Sequence, residues 1–89
     1  MQGRKVRDDG DREVWMKPLA DGARAVILFN RGTEAGNIAV SWEEIGLARA
    51  GTALVRDLWR KADVGPSAGR YEAKVGPHDV VMLRIAPQP

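Results

Sequence analysis

The chain of 89 residues has no cysteine and a single histidine, His78. Without Cys there is no disulfide framework, no thiol nucleophile and no thiolate metal site, and the redox compartment stays open. One His and no Cys supply none of the usual zinc ligand sets. Serine occurs only at positions 41 and 67, which leaves little material for a nucleophile triad. Gly-x-Gly-x-x-Gly and P-loop patterns are both absent. No apolar run approaches the ~20 residues of a membrane span, and the polar N-terminus carries no signal peptide. Charge of one sign is not concentrated anywhere. Fourteen basic and twelve acidic residues interleave to a net charge of +2, so no basic cluster of the kind nucleic acid selects is present. The pI of 9.4 reflects ten Arg against four Lys. The length excludes two cores, and an α/β barrel, which needs about 250 residues.

Glycine and proline are plentiful. They recur near every ten residues, at Gly10, Pro18, Gly22, Gly32, Gly36, Gly46, Gly51, Gly65, Gly69 and Gly76 among others. Little room is left between them for a capped three-turn helix. Short segments rich in Val, Ile, Leu, Trp and Tyr fill the gaps, the pattern of an antiparallel sandwich or barrel. The spacing predicts six strands: 13–17, 23–30, 37–42, 52–57, 70–75 and 79–86. Asp21-Gly22 and Arg31-Gly32 are turn chemistry joining the first three into a meander. Residues 43–47 read as one helical turn, and 60–69 as the longest loop. The expected layout is a polar N-terminal linker over 1–9, one all-β domain over 10–86, and a short tail over 87–89. The fold class is an antiparallel two-layer sandwich of Greek-key type.

The strands differ in their periodicity. Ile38, Val40 and Trp42 alternate with polar or small neighbours, as do Tyr71, Ala73 and Val75, so each of these strands has one dry and one wet face. The strands around Ala25–Phe29 and Val80–Leu83 are apolar at every position. A two-layer sandwich covers only one face of each sheet. Two readings follow: central strands with a few exposed aliphatics, or a second face covered by a partner domain. The second reading puts Val26, Leu28, Val80 and Met82 on a docking face. The expected core is Trp42, Trp59, Ile27, Val40, Val55 and Leu83.

Candidate chemistry is sparse. His78, in Gly-Pro-His-Asp before a strand, reads as a turn residue rather than a base. Asp8, Asp9 and Asp11 around Gly10 resemble a calcium loop, but the EF-hand spacing fails and its closing Glu is absent, so a solvated turn is expected. No catalytic, substrate-binding or metal-binding residue is assigned, and no cofactor is expected. Trp15, Trp42, Trp59 and Tyr71 are packing residues on this reading. The alternative is a carbohydrate-binding module that stacks sugar rings on an exposed Trp15 or Tyr71.

A run of segments is similar to a known family. Gly10-Asp11-Arg12-Glu13-Val14-Trp15-Met16-Lys17-Pro18-Leu19-Ala20-Asp21-Gly22 resembles the opening of the C-terminal β domain of glycoside hydrolase family 27, the α-galactosidases. Arg24-Ala25-Val26 through Leu28-Phe29-Asn30-Arg31-Gly32 continues the resemblance. So do Trp42 with Ile45-Gly46-Leu47, Val55-Arg56-Asp57-Leu58-Trp59, and Val75-Gly76-Pro77-His78-Asp79-Val80-Val81-Met82-Leu83. The ordered set, from about Gln2 to Ile85, carries the likeness; no single segment does. The resemblance implies a (β/α)8 catalytic barrel ahead of this domain as its partner. It also implies retaining hydrolysis of terminal α-linked galactose, with galactosides met through the parent enzyme. Such hydrolysis uses two carboxyl groups about 5–5.5 Å apart, which the family carries on the barrel. None of Asp8, Asp9, Asp11, Asp21, Asp57, Asp63 or Asp79 matches either motif. The chain is therefore expected to be an excised or truncated tail that does not catalyse the reaction itself.

Overall fold

Alternating and doubly apolar segments, punctuated by glycine, build eight strands in the computed structural model, which describes residues 3–87. They are β1 (Arg4–Asp8), β2 (Arg12–Pro18), β3 (Arg24–Asn30), β4 (Gly36–Ser41), β5 (Thr52–Asp57), β6 (Ala62–Ala68), β7 (Arg70–Val75) and β8 (Asp79–Pro87). A short 3-10 turn, Glu43–Ile45, follows β4 and ends on Gly46, whose φ of 79° suits a residue without Cβ. One sheet has six strands in the order β1-β2-β3-β8-β5-β6, and the other pairs β4 with β7. All pairings are antiparallel. The neighbours β3–β8, β5–β8 and β4–β7 are distant in sequence, the crossovers of a Greek-key arrangement.

The two strands that sequence reading missed are the two edges of the large sheet. β1 lies in the segment expected to be a polar linker, and β6 in the segment expected to be a loop. The physical reason is shared. Edge strands carry charge or Pro and need little apolar content, because one side of the ladder stays unpaired. β1 reads Arg-Lys-Val-Arg-Asp, and β6 holds Gly65 and Pro66.

The core lies between the sheets. Val14, Met16, Val26, Leu28, Leu83, Ile85, Ala53 and Val55 face inward from the large sheet. Ile38, Val40 and Val75 face them from the small one, and Trp42 and Ile45 close one end. The alternation expected in β4 and β7 holds: Ile38 pairs with Ala73 and Val40 with Tyr71 on the dry side. Two arginines fasten the layers. Arg7 of β1 reaches across to Glu44, donating from Nη1 to both carboxylate oxygens (2.8 and 2.9 Å), and from Nη2 to the Ala39 carbonyl. Arg24 donates from Nε to the Ile45 carbonyl (2.7 Å).

Asn30 is a fully buried polar residue that ties β3 to the second layer. Its amide donates to the Glu34 and Val75 carbonyls (2.8 and 3.1 Å), and its oxygen accepts the Gly32 N–H (2.8 Å). Asn30→Ala leaves these three backbone groups without partners, two of them in a dry setting and the Glu34 carbonyl part-buried. Each buried unpaired group costs about 1–3 kcal/mol. The variant is expected to lose roughly 3 kcal/mol in urea unfolding. A loss below about 1 kcal/mol would mean that water reaches the site.

Candidate functional site

The outer face of the large sheet is apolar at its centre, and register shows how it is built. Reading across the strands, one row runs Lys5, Trp15, Ile27, Met82. Leu58 adjoins it, its N–H donating to the Met82 carbonyl (2.9 Å). A second row runs Asp8, Glu13, Phe29, Val80. A third runs Lys17, Ala25, Arg84, Arg56, Asp63. Residues directly opposite in a ladder share a face. So Trp15, Ile27, Met82, Phe29 and Val80 form one half-buried apolar field, rimmed by charge. Trp15, Ile27, Met82 and Leu58 line a depression of about 270 Å³ within it.

This register corrects the expected docking face. Val80 and Met82 lie on the outer face. Val26 and Leu28 do not: they pair with Leu83 and Val81 and sit in the core, with Leu28 at 0% exposure. Their outer counterparts are Ile27 and Phe29. Ile27 was therefore expected on the wrong side of β3. Both faces of that strand are apolar, so a period of two carries no sign, and only pairing to β8 sets which parity faces inward. Of the other expected core residues, Trp42, Val40, Val55 and Leu83 are buried. Trp59 is not. It is 67% exposed, in the turn between β5 and β6. Asp57, which accepts backbone N–H bonds from Trp59 and Arg60, is the sequence signal that marks that turn.

The rim is ordered by ion pairs. Glu13 is only 5% exposed although it belongs to the outer face. Its carboxylate accepts from Trp15 Nε1 (2.9 Å) and pairs with Arg31 Nε (2.9 Å), with Lys5 Nζ at 3.8 Å. Lys5 also stands over the Trp15 ring, 5.5 Å from its centroid. Arg84 and Arg56 are directly opposed like charges, and each is offset by its own partner, Asp21 and Asp63. The Ala23 N–H, and then Arg84, hold the Asp21 carboxyl below the usual carboxylate range. The Lys5 hydrogen bond, then the Gly10 N–H, does the same for Asp8. A depressed carboxyl lends stability above its unfolded pKa and loses it as pH falls through the folded one.

Elsewhere the sites named by sequence are unremarkable. His78 sits in the turn before β8 with φ of 52°, its N–H donating to the Gly32 carbonyl (3.1 Å). Gly10 N–H donates to Asp8 Oδ1 (3.0 Å), so the Asp8–Asp11 segment closes on itself as a turn. Among the described residues no three His, Cys, Asp or Glu side chains gather as a metal site. Tyr71 packs on the core, and Trp15 lies half-buried on the outer face.

Residues 9–85 match the family model described as the α-galactosidase C-terminal β-sandwich domain. Arabidopsis thaliana α-galactosidase 2 is 42% identical over 85 residues, covering 96% of this chain and 22% of the relative. The α-galactosidase of Cyamopsis tetragonoloba is 36% identical over 88 residues, covering 99% and 21%. A solved β-L-arabinopyranosidase of glycoside hydrolase family 27 from Geobacillus stearothermophilus superposes with a TM-score of 0.91. It is 27% identical, with 99% of this chain and 20% of that one covered. The chain thus spans about a fifth of the length of the relatives it matches. With its ordered segments, its two antiparallel layers and its length matched almost end to end, the chain belongs to the C-terminal β-sandwich domain family of the α-galactosidases.

Proposed function

We propose that this domain is a non-catalytic packing unit of an α-galactosidase-type glycosidase, seated against the catalytic barrel through the outer face of its six-stranded sheet. One observation carries the reading: that sheet is apolar on both faces, whereas β4 and β7 cover only one of them. Trp15, Ile27, Phe29, Val80 and Met82 give the second face an apolar centre within a charged rim, the anatomy of a protein interface. Covering a few hundred Å² of such surface returns several kcal/mol at about 25 cal/mol per Å², before association costs. The relatives supply the occupant, since about four-fifths of their length lies outside the matched domain. The parent reaction on this reading is hydrolysis of terminal α-linked galactose. A relative named for arabinopyranoside chemistry carries the same domain, which fits a scaffold better than a determinant of the sugar.

The test is a chimaera of the Cyamopsis tetragonoloba α-galactosidase in which this chain replaces the matching C-terminal segment. The chimaera is expected to hydrolyse a nitrophenyl α-galactoside and to melt in one transition. The 89-residue chain alone is expected to show no turnover. Ile27→Lys with Met82→Lys is expected to split or lower the transition of the chimaera by at least ~5 °C, in line with ~1 kcal/mol in a domain of this size. Turnover by the chain alone that is lost on mutating one of its own Asp residues would overturn the non-catalytic assignment. An unchanged melt in the double variant would overturn the docking face.

A further inference from the structure

The outer face does not end at the sheet. The turn between β5 and β6 stands beside it, and hydrogen bonds hold its backbone in place. Asp57 Oδ1 accepts from both the Trp59 and the Arg60 N–H (3.0 Å each). Arg56 reaches over the turn to the Lys61 carbonyl (3.1 Å) and pairs with Asp63 (3.1 Å). Lys61 sits at φ of 52°, a left-handed conformation that a lysine adopts only where its surroundings impose it. Leu58 is anchored to β8 through the Met82 carbonyl and lines the same depression as Trp15 and Ile27. The side chain that this scaffold presents is Trp59, the most exposed large apolar residue described, beside a cleft of about 340 Å³ formed with Arg60, Asp79, Val80 and Val81.

A fixed turn that holds a tryptophan in water has the properties of a binding anchor. Trp is the side chain most enriched at interface hot spots. A turn already locked loses little further freedom on binding, so more of the contact energy is kept. Arg60 and Lys61 follow Trp59 in the chain, Arg60 lining the same cleft, and have no ion-pair partner among the described residues, whereas Arg56 and Arg84 nearby are both paired. Asp57 Oδ1 is occupied by the turn, and Asp79 Oδ1 accepts the Val80 N–H (2.8 Å). The cleft joins an apolar floor, Val80 and Val81, to the exposed indole, and acidic partners are matched by Arg60 and Lys61 at its edge.

We propose that the Asp57–Lys61 turn is a clamp that extends the docking face, with Trp59 inserted into an apolar pocket of the catalytic portion and Arg60 and Lys61 meeting carboxylates at its edge. The occupant is the portion of the enzyme outside this domain. Continuity argues for it, because Leu58 belongs to the docking field and Trp59 is the next residue. The inference rests on the docking reading above.

The experiment uses the same chimaera. Trp59→Ala is expected to separate its single melting transition into two and to shorten the activity half-life at raised temperature by roughly ten-fold or more, the scale of a hot-spot deletion. Trp59→Phe is expected to restore most of this, and Arg60→Glu with Lys61→Glu to weaken coupling in a salt-dependent way. In the 89-residue chain Trp59→Ala is expected to leave the melt nearly unchanged, as for other exposed sites. If Trp59→Ala leaves the chimaera intact while Ile27→Lys with Met82→Lys uncouples it, the clamp is overturned and the docking face stands. If neither uncouples it, both are overturned. A tryptophan emission shift of the 89-residue chain with melibiose, lost in Trp59→Phe, makes the turn a sugar platform and overturns the clamp. Where a chimaeric variant does not accumulate, trypsin cleavage after Arg60 is compared between the parent chimaera and the 89-residue chain. The chimaera is expected to shield that bond, and cleavage at equal rates overturns the proposal.

Discussion

Trp42→Ala is expected to leave little folded protein. Trp42 is completely buried and is the largest side chain in the core. It also occupies a corner where three backbone hydrogen bonds meet. Its N–H donates to the Gly69 carbonyl (2.9 Å), and its carbonyl accepts from Ile45 (3.2 Å) and Leu47 (2.8 Å). Truncation opens a cavity at the join of the small sheet and the 3-10 turn. Core Trp→Ala changes cost about 3–5 kcal/mol. A domain of this size holds about 5 kcal/mol in total, the low end of the usual range. Trp42→Phe is expected to behave differently. The indole Nε1 has no hydrogen-bond partner among the described residues. Phenylalanine keeps most of the volume and removes that polar group, so a loss nearer ~1 kcal/mol is expected. Circular dichroism melts of both variants check this. A sharp, wild-type-like transition for the alanine variant would contradict the core assignment.

Leu28→Lys and Ile27→Lys are expected to have opposite fates although the residues are adjacent. Leu28 faces Val26, Leu83 and the small sheet, with no accessible surface. A lysine there buries an amine with no carboxylate partner, which costs well over 4 kcal/mol or forces the side chain out through the core. The isolated domain is expected to unfold. Ile27 faces outward beside Trp15 and Met82 and is half-buried. A lysine there keeps its stem on the apolar field and its amine in water. The isolated domain is expected to stay folded within about 1 kcal/mol, with less self-association by sedimentation velocity. If Ile27→Lys unfolds the domain and Leu28→Lys does not, the register of β3 against β8 is inverted.

That register marks the limit of what could be read along the chain. In β4 and β7 one face is polar, so the buried parity was legible, and Ile38, Val40, Tyr71, Ala73 and Val75 all lie where alternation put them. In β3 both faces are apolar, and the choice of Ile27 over Leu28 for the core went wrong. Trp59 failed for a related reason. Size and hydrophobicity suggested burial, but Asp57 bends the chain just before it and leaves the indole in water. The sequence admits both a packed and an exposed Trp15, and its place on the outer face, with Glu13 buried beneath a charged rim, appears only when β1, β2 and β3 are set side by side.

The sequence alone determined the class of the molecule. Glycine and proline at short intervals forbid long helices, alternating apolar residues require sheets with one wet face, and the order of short segments carries the family likeness. These are local properties, written within ten residues or so. Tertiary structure decided what is not local. Edge strands such as β1 and β6 have no apolar signature, because half their hydrogen bonding comes from one neighbour and the other half from none. The sign of a doubly apolar strand depends on its partner across the ladder. The apolar outer field exists only because Trp15, Ile27 and Met82 are brought into one row from three strands, two of them more than fifty residues apart along the chain.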